Sequence, residues 1–316
     1  MKILVTGGAG YIGSVLCPML LSRGYEVRVL DNLTFGANGI LGCFTYKKFD
    51  FIEGDILNKD IVEKALEGVD VVIHLAAIVG YPACRRDEDL AYRVNVIGTK
   101  NIANAMKPNQ KIIFGSTGSN YGSLVGDACT EETPLNPLTC YGVTKTEAEK
   151  YLLDNVPTVA FRFATAFGVS PRFRLDLMIN DFVYQALHAK NLIIYEKSFK
   201  RTFIHVYDMA RAFLFTLENI DKMIGQVYNV GSETMNYTKE DVAVKVKNNL
   251  SNRGKNFYLH FAEIGKDEDQ RNYEVSYQKI RMLGYSTTIN LDDGIEELIK
   301  AVSAIKIKNP YSNAHI

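Results

Sequence analysis

Residues 1–31 read MKILVTGGAGYIGSVLCPMLLSRGYEVRVLD. Ile3, Leu4 and Val5 form a short apolar run ending at Thr6, the signature of a buried parallel strand. Gly8 to Gly13 then carry the spacing G-x-G-x-x-G. A helix-periodic segment follows from Tyr11 to about Ser22, and a second strand, Val27 to Leu30, ends in Asp31. Glycines let the backbone turn sharply and approach a pyrophosphate without a Cβ clash. The helix start that follows offers free N–H groups and a positive dipole end. A carboxylate at the end of the second strand accepts from both hydroxyls of an adenosine ribose and repels a 2′-phosphate. The order strand, glycine loop, helix, strand, Asp therefore predicts an NAD site with Gly7, Gly10, Tyr11, Ile12, Gly13, Asp31 and Asn32 on the cofactor.

The rest of the chain continues the alternation. Strands are expected over 49–53, 70–75, 111–114 and 158–163. Helices are expected over 59–66, 90–106 and 140–154. This pattern predicts a doubly wound parallel α/β sheet of the Rossmann type. Beyond Gly168 the rhythm changes: a helix over 175–189, a short strand over 192–195, a return unit over 203–230, and helices over 239–250 and 291–304. The expected division is a dinucleotide-binding domain of residues 1–169 with 204–232, and a smaller α/β lobe of residues 170–203 with 233–316. Asp31, Asp55, Ala76 and Thr117 all fall at strand C-termini, where such sheets bind ligands.

Bulk properties narrow the partners. Lys plus Arg and Asp plus Glu number 36 each, so no net field draws nucleic acid or an anionic membrane. The five cysteines, at 17, 43, 84, 129 and 140, form no C-x-x-C pair, so neither a disulfide framework nor a metal site is expected. A core strand at residue 2 leaves no room for a signal peptide, and no apolar run spans a bilayer; a cytoplasmic protein is expected.

Tyr141 and Lys145 form Y-x-x-x-K on a predicted helix, one turn apart on one face. A nearby ammonium and a cationic nicotinamide both favour the phenolate. Such a tyrosine can take a proton from a sugar hydroxyl while hydride leaves the same carbon. Thr117, at a strand end, is placed to hydrogen-bond the reacting oxygen. His74 reads as structural, His205 as a hydrogen-bonded core histidine, and Cys84 lacks any feature that would activate a thiol.

These stretches resemble the extended short-chain dehydrogenase/reductases, in the NAD-dependent nucleotide-sugar epimerase/dehydratase family. The resemblance runs through Thr6–Gly13, Asp31-Asn32, Gly54-Asp55, His74–Ala77, Asn95 with Gly98-Thr99, Ser116-Thr117, Tyr121-Gly122, Tyr141–Lys145, and Arg201 before Ile204–Val206. It implies that Asp55 and Ile56 lie near the adenine, that Leu75, Ala76, Ala77 and Asn95 run along the dinucleotide, and that Lys145 binds the nicotinamide ribose. It implies Tyr141 as base and Thr117 as its assistant. Arg201 and Arg271 resemble the arginines that grip a nucleotide diphosphate, and Asn180 is set against the same group. A homodimer built on the helices over 90–106 and 140–154 is also implied.

The departures matter as much. The family's 4,6-dehydratases carry Asp-Glu after the threonine; its decarboxylases and 3,5-epimerases place Glu or Cys where Ser119 stands. Here the pair is Gly118-Ser119. What survives suffices to oxidise one carbinol, usually C4, and return the hydride. The expected activity is thus a nucleotide-sugar 4-epimerase, with a 4-dehydrogenase that releases the ketone as the alternative. The segments 77–86 and 161–176 resemble a branch that includes GDP-heptose 4-dehydrogenases. They place Tyr81, Arg172 and Arg174 around the sugar, and Ser119, two residues after Thr117, is expected on the same substrate. A dinucleotide-binding regulator without turnover is disfavoured by the intact Tyr141–Lys145 face, and an NADPH reductase by Asp31.

Overall fold

Ile3, Leu4, Val5, Val72, Ile73, Ile112, Ile113, Phe114, Val159, Ala160 and Phe161 are all sealed from solvent. Strands apolar on both faces must be covered by helices on both sides, and that requirement builds the molecule. The computed structural model describes residues 1–123, 128–265, 272–307 and 313.

In chain order the elements are β1 (Lys2–Thr6), α1 (Gly13–Ser22), β2 (Glu26–Asp31), β3 (Phe49–Glu53), α2 (Lys59–Leu66), β4 (Val71–His74), α3 (Tyr81–Arg86), α4 (Glu88–Tyr92), α5 (Thr99–Ala105), β5 (Lys111–Thr117), α6 (Cys140–Asn155), β6 (Thr158–Phe163) and β7 (Thr165–Phe167). There follow α7 (Met178–His188), β8 (Asn191–Tyr195), β9 (Lys200–His205), α8 (Val206–Met223), β10 (Gln226–Val230), β11 (Asn236–Thr238), α9 (Lys239–Ser251), β12 (Tyr258–Ala262), α10 (Gln278–Met282) and α11 (Leu291–Ala304).

Seven strands form the central sheet in the order β3-β2-β1-β4-β5-β6-β10, and each neighbouring pair runs parallel. Strand order reverses between β1 and β4, the switch point where open α/β sheets leave a crevice at the strand C-termini. Leu16, Leu20 and Phe213, from α1 and α8, pack on one face. Val62, Ile102, Ala148 and Leu152, from α2, α5 and α6, pack on the other. A separate core joins α7, α9 and α11 through Val183, Val246, Ile295 and Leu298. It adjoins a three-stranded sheet, β11-β9-β7, and a parallel pair, β12-β8. Among the described residues no helix is long and apolar enough to cross a membrane.

The segment read as one helix over 90–106 is divided. A π-helical turn, Arg93–Gly98, separates α4 from α5. Gly98 there lies against Ile56: a Cβ would come within 2.5 Å of its Cδ1. The widened turn also swings Asn95 inward, where it is 1 % exposed. Such π-turns concentrate at functional sites.

Candidate active site

A cavity of about 340 Å³ opens at the C-terminal ends of β1, β2, β4 and β5, a size suited to a small ligand. The glycine loop forms its floor. Gly7 sits at φ +71°, and a Cβ there would strike the Ala76 backbone nitrogen at 2.7 Å; only glycine suits both constraints. Gly13 packs on Gly8 so tightly that a Cβ would lie 2.5 Å from the Gly8 Cα. Helix α1 begins at Gly13 with no side-chain cap and no acidic residue in its first turn. Its positive end is therefore left to the cavity, as an anion-binding site requires. Most helices elsewhere are capped by their own side chains, Thr139 on α6 for example.

Asp31 closes β2 with one oxygen accepting from Ala9 N and the other from Leu33 N, both at 2.9 Å. Burial raises its carboxyl above the ordinary range, and these two donors work against that rise. Asn32 donates to Asp55 at 3.0 Å, so two strand ends share one polar rim. Gly7, Gly10, Tyr11, Ile12, Gly13, Asp31, Asn32, Asp55, Ile56, Leu75, Ala76 and Ala77 all border the cavity. An uncapped helix end and a close-approach glycine loop that offer N–H donors, with a rim carboxylate that accepts, fit a dinucleotide.

Across the cavity stand Thr117, Ser119, Tyr141 and Lys145. Thr117 donates its hydroxyl to Ser119 Oγ at 3.1 Å and accepts from the Ser119 backbone at 3.1 Å. Lys145 is 3 % exposed, its Nζ 3.8 Å from the centroid of the Phe114 ring. Burial pulls its ammonium down to about 7, with Glu149 holding it up. His74 lies beneath, between Thr6 Oγ1 at 2.7 Å and Thr99 Oγ1 at 2.9 Å. Burial and then Lys145 lower His74 to about 3, so it is a neutral structural imidazole. Cys84 gives its thiol to the Ile78 carbonyl at 3.3 Å. Burial pushes that thiol up to about 12, far from a nucleophile. His205 is buried at the head of α8 and accepts from Tyr207 N at 3.2 Å.

Tyr81, Arg172 and Arg174 complete the wall. Arg172 stacks on Phe35, 3.8 Å from guanidinium carbon to ring centroid. Burial and then Arg174 lower it to about 10. Arg174 is forked onto Asp176 at 2.5 and 3.2 Å. Asn95 and Asn180 stand behind the wall rather than on it. Asn95 accepts from Ile78 N at 2.8 Å and donates to Ile78 O at 3.0 Å, clamping a loop beside the dinucleotide floor. Asn180 accepts from Gly168 N at 3.0 Å and donates to Arg174 O at 2.8 Å. Both amides are spent on backbone, so each shapes the cavity indirectly. Arg201 is buried on β9 with a bond to the Lys200 carbonyl and is not among the residues that border the cavity. Arg271 lies outside the described residues. Asn313, Phe35 and the Glu149–Arg162 pair at 2.6 Å escaped sequence reasoning, because each meets the site through contacts distant in sequence. Among the described residues no group of three His, Cys, Asp or Glu is placed to hold a metal.

Comparisons with known proteins converge on one family. The family model of the NAD dependent epimerase/dehydratase family matches residues 3–231. An uncharacterised UDP-glucose epimerase of Bacillus subtilis is 30% identical, over 96% of this chain and 99% of its own length. A putative UDP-glucose 4-epimerase of Methanocaldococcus jannaschii is also 30% identical, over 94% and 97%. Among solved structures, the UDP-glucuronic acid 4-epimerase of Bacillus cereus, in complex with UDP-glucuronic acid and NAD, superposes with a TM-score of 0.84 at 32% identity, covering 96% of this chain and 99% of that one. With a matched model over most of its length, neighbours that hold NAD, and a glycine loop and rim carboxylate to receive it, the chain belongs to the NAD-dependent epimerase/dehydratase family.

Proposed function

We propose that the protein is a nucleotide-sugar 4-epimerase in which Tyr141 is the base at the C4 hydroxyl. One observation carries the reading. Thr117, Tyr141 and Lys145 border the same cavity as the glycine loop and Asp31, while Gly118 and Ser119 stand where other branches carry an acid, a base or a thiol. When bound, NAD supplies a reversible acceptor for the C4 hydride. The chain's own residues manage the proton and the orientation. Tyr141 takes the C4 hydroxyl proton, and the Lys145 ammonium one helical turn along favours the phenolate. Thr117 exchanges its bond to Ser119 for one to the reacting oxygen. Neither Gly118 nor Ser119 can act as the second acid–base group that loss of water would need. Arg172 supplies a guanidinium suited to a diphosphate, and Arg174, its fork held by Asp176, adds positive charge beside it. The B. cereus neighbour, with UDP-glucuronic acid and NAD bound, supports the ligand class.

The test follows deuterium at C4 of UDP-hexose and GDP-hexose probes. The label should return to C4 of an epimerised product. Tyr141→Phe should retain NAD and lower turnover by about 10²–10⁴-fold. Loss of water, release of carbon dioxide or exchange at C3 or C5 overturns the reading. A released 4-keto sugar with reduced cofactor left on the protein would make it a 4-dehydrogenase instead.

A further inference from the structure

Tyr141, Lys145 and Glu149 stand at successive turns of one face of α6. The first two border the cavity. Glu149 lies behind them, 2 % exposed, among groups brought by other segments. Its Oε2 accepts from Ser116 Oγ at 2.5 Å and from Asn120 Nδ2 at 3.2 Å. Its Oε1 accepts from Arg162, on β6, with Nη2 at 2.6 Å and Nε at 3.1 Å. Arg162 also donates to Tyr121 Oη and to the Glu131 carbonyl, both at 3.1 Å. Ser116 directly precedes Thr117, and Asn120 directly follows Ser119. One carboxylate therefore ties the Thr117 segment to the helix of Tyr141 and Lys145.

Resting on the function proposed above, we infer that Glu149 is a positioning residue: it fixes Thr117 relative to Tyr141 and, paired with Arg162, sets a buried negative charge one helical turn from the Lys145 ammonium. The surroundings of Lys145 leave that task to few groups. His74 faces it from β4 and Cys84 from α3, with Tyr141 and Glu149 on its own helix. His74 is held neutral and Cys84 stays a thiol. Arg174 faces Tyr141 as a cation. Arg162 binds Glu149 on the side of β6 and offsets part of its charge. Among these groups Glu149 is the anion one turn from Lys145, in surroundings where charges are weakly screened.

Glu149→Gln keeps the size and an acceptor oxygen and removes the charge. In the NAD-loaded protein, with lysine labelled at Cε with ¹³C, the Lys145 signal should titrate at least about one pH unit lower than in wild type. With a nucleotide sugar that wild type turns over, the alkaline limb of the pH profile should move down by the same amount. At pH 8 kcat should fall by about tenfold, the equivalent of one such unit, with KM for the sugar nearly unchanged. The single change leaves Arg162 buried without a counter-ion, so Glu149→Gln is also combined with Arg162→Met, which removes both charges. The positional role requires this folded double variant to keep the lowered titration and the lost kcat. Wild-type kcat and an unmoved Lys145 titration in the double variant would show a mere structural ion pair and overturn the inference. The lysine titration needs no substrate. A shifted Lys145 in a protein that transfers hydride from no nucleotide sugar would sink the proposed function while upholding the role of Glu149.

Discussion

The phenol of Tyr11 donates to the carbonyl oxygen of Gly168 at 2.6 Å, joining the glycine loop to the segment that carries Arg172 and Arg174. Two further bonds reinforce the joint: Ser170 Oγ to the Tyr11 carbonyl at 2.7 Å and to Ser14 Oγ at 2.8 Å. The glycine-loop floor and the wall that carries Arg172 and Arg174 are thus fastened by three hydrogen bonds within a few residues. Burial holds the Tyr11 phenol far above its usual range, so it stays a donor. Tyr11→Phe removes one bond and keeps the ring. The change should cost about 1–3 kcal/mol in urea unfolding and weaken NAD in a fluorescence titration, since the loop loses an anchor. Unchanged stability would show that the two serine bonds suffice.

The cofactor preference rests on Asp31. Its oxygens already accept from Ala9 and Leu33, so the carboxylate is fixed before a ribose arrives. Asp31→Ala should weaken NAD(H) and improve NADP(H) relative to it. Affinities for both cofactors measured side by side decide the matter; an unimproved ratio would remove the assigned role.

Much of this was legible because neighbouring residues decide it. The strand–glycine–helix–Asp order lies within one β-α-β unit, and strand 49–53, helix 59–66 and strand 158–163 were read with their observed bounds. The misses are non-local. Periodicity over 90–106 hid the π-turn, at whose end Gly98 packs on Ile56, a residue far away in sequence. Strand β7 was invisible because its three residues pair with β9, far along the chain. Glu149 reads as one more polar residue on a helix until β6 brings Arg162 against it. Asn95 and Asn180 show the same limit at the site: their residue types permit ligand contact, but the backbone claims their amides first.

A homodimer is the expected assembly. Tyr92 and Ile97, on α4 and the π-turn, and Val143 on α6 are 40 %, 38 % and 48 % exposed, on the two helical segments that the family resemblance assigns to subunit contact. Light scattering at micromolar concentration should give twice the chain mass. Val143→Asp combined with Ile97→Asp should shift it toward one, because two charges would be desolvated in each copy. A wild-type monomer would count against the assignment.

Lys145 should also be a stability cost that the site retains for its chemistry. Its ammonium is 3 % exposed, and burial lowers it from 10.5 to about 7 despite Glu149. Below the folded value both states bind the proton, and the full penalty of burying the charge is present. Between 7 and 10.5 the unfolded chain binds a proton that the folded protein does not, so stability rises with pH across that window. Lys145→Met keeps an apolar stem against Phe114 and removes the charge. In the cofactor-free protein it should raise the unfolding free energy at pH 7 by about 2–4 kcal/mol, an order-of-magnitude figure from the shift. The gain should shrink steadily toward pH 10, where wild type has shed most of the penalty. Turnover should be lost at every pH, since the ammonium one helical turn from Tyr141 is gone and Arg174 remains engaged with Asp176. Urea unfolding of both proteins at pH 7, 8.5 and 9.5 reads the trend. A variant less stable than wild type at pH 7, or a difference that does not narrow as pH rises, would show that the buried ammonium is well compensated by its surroundings.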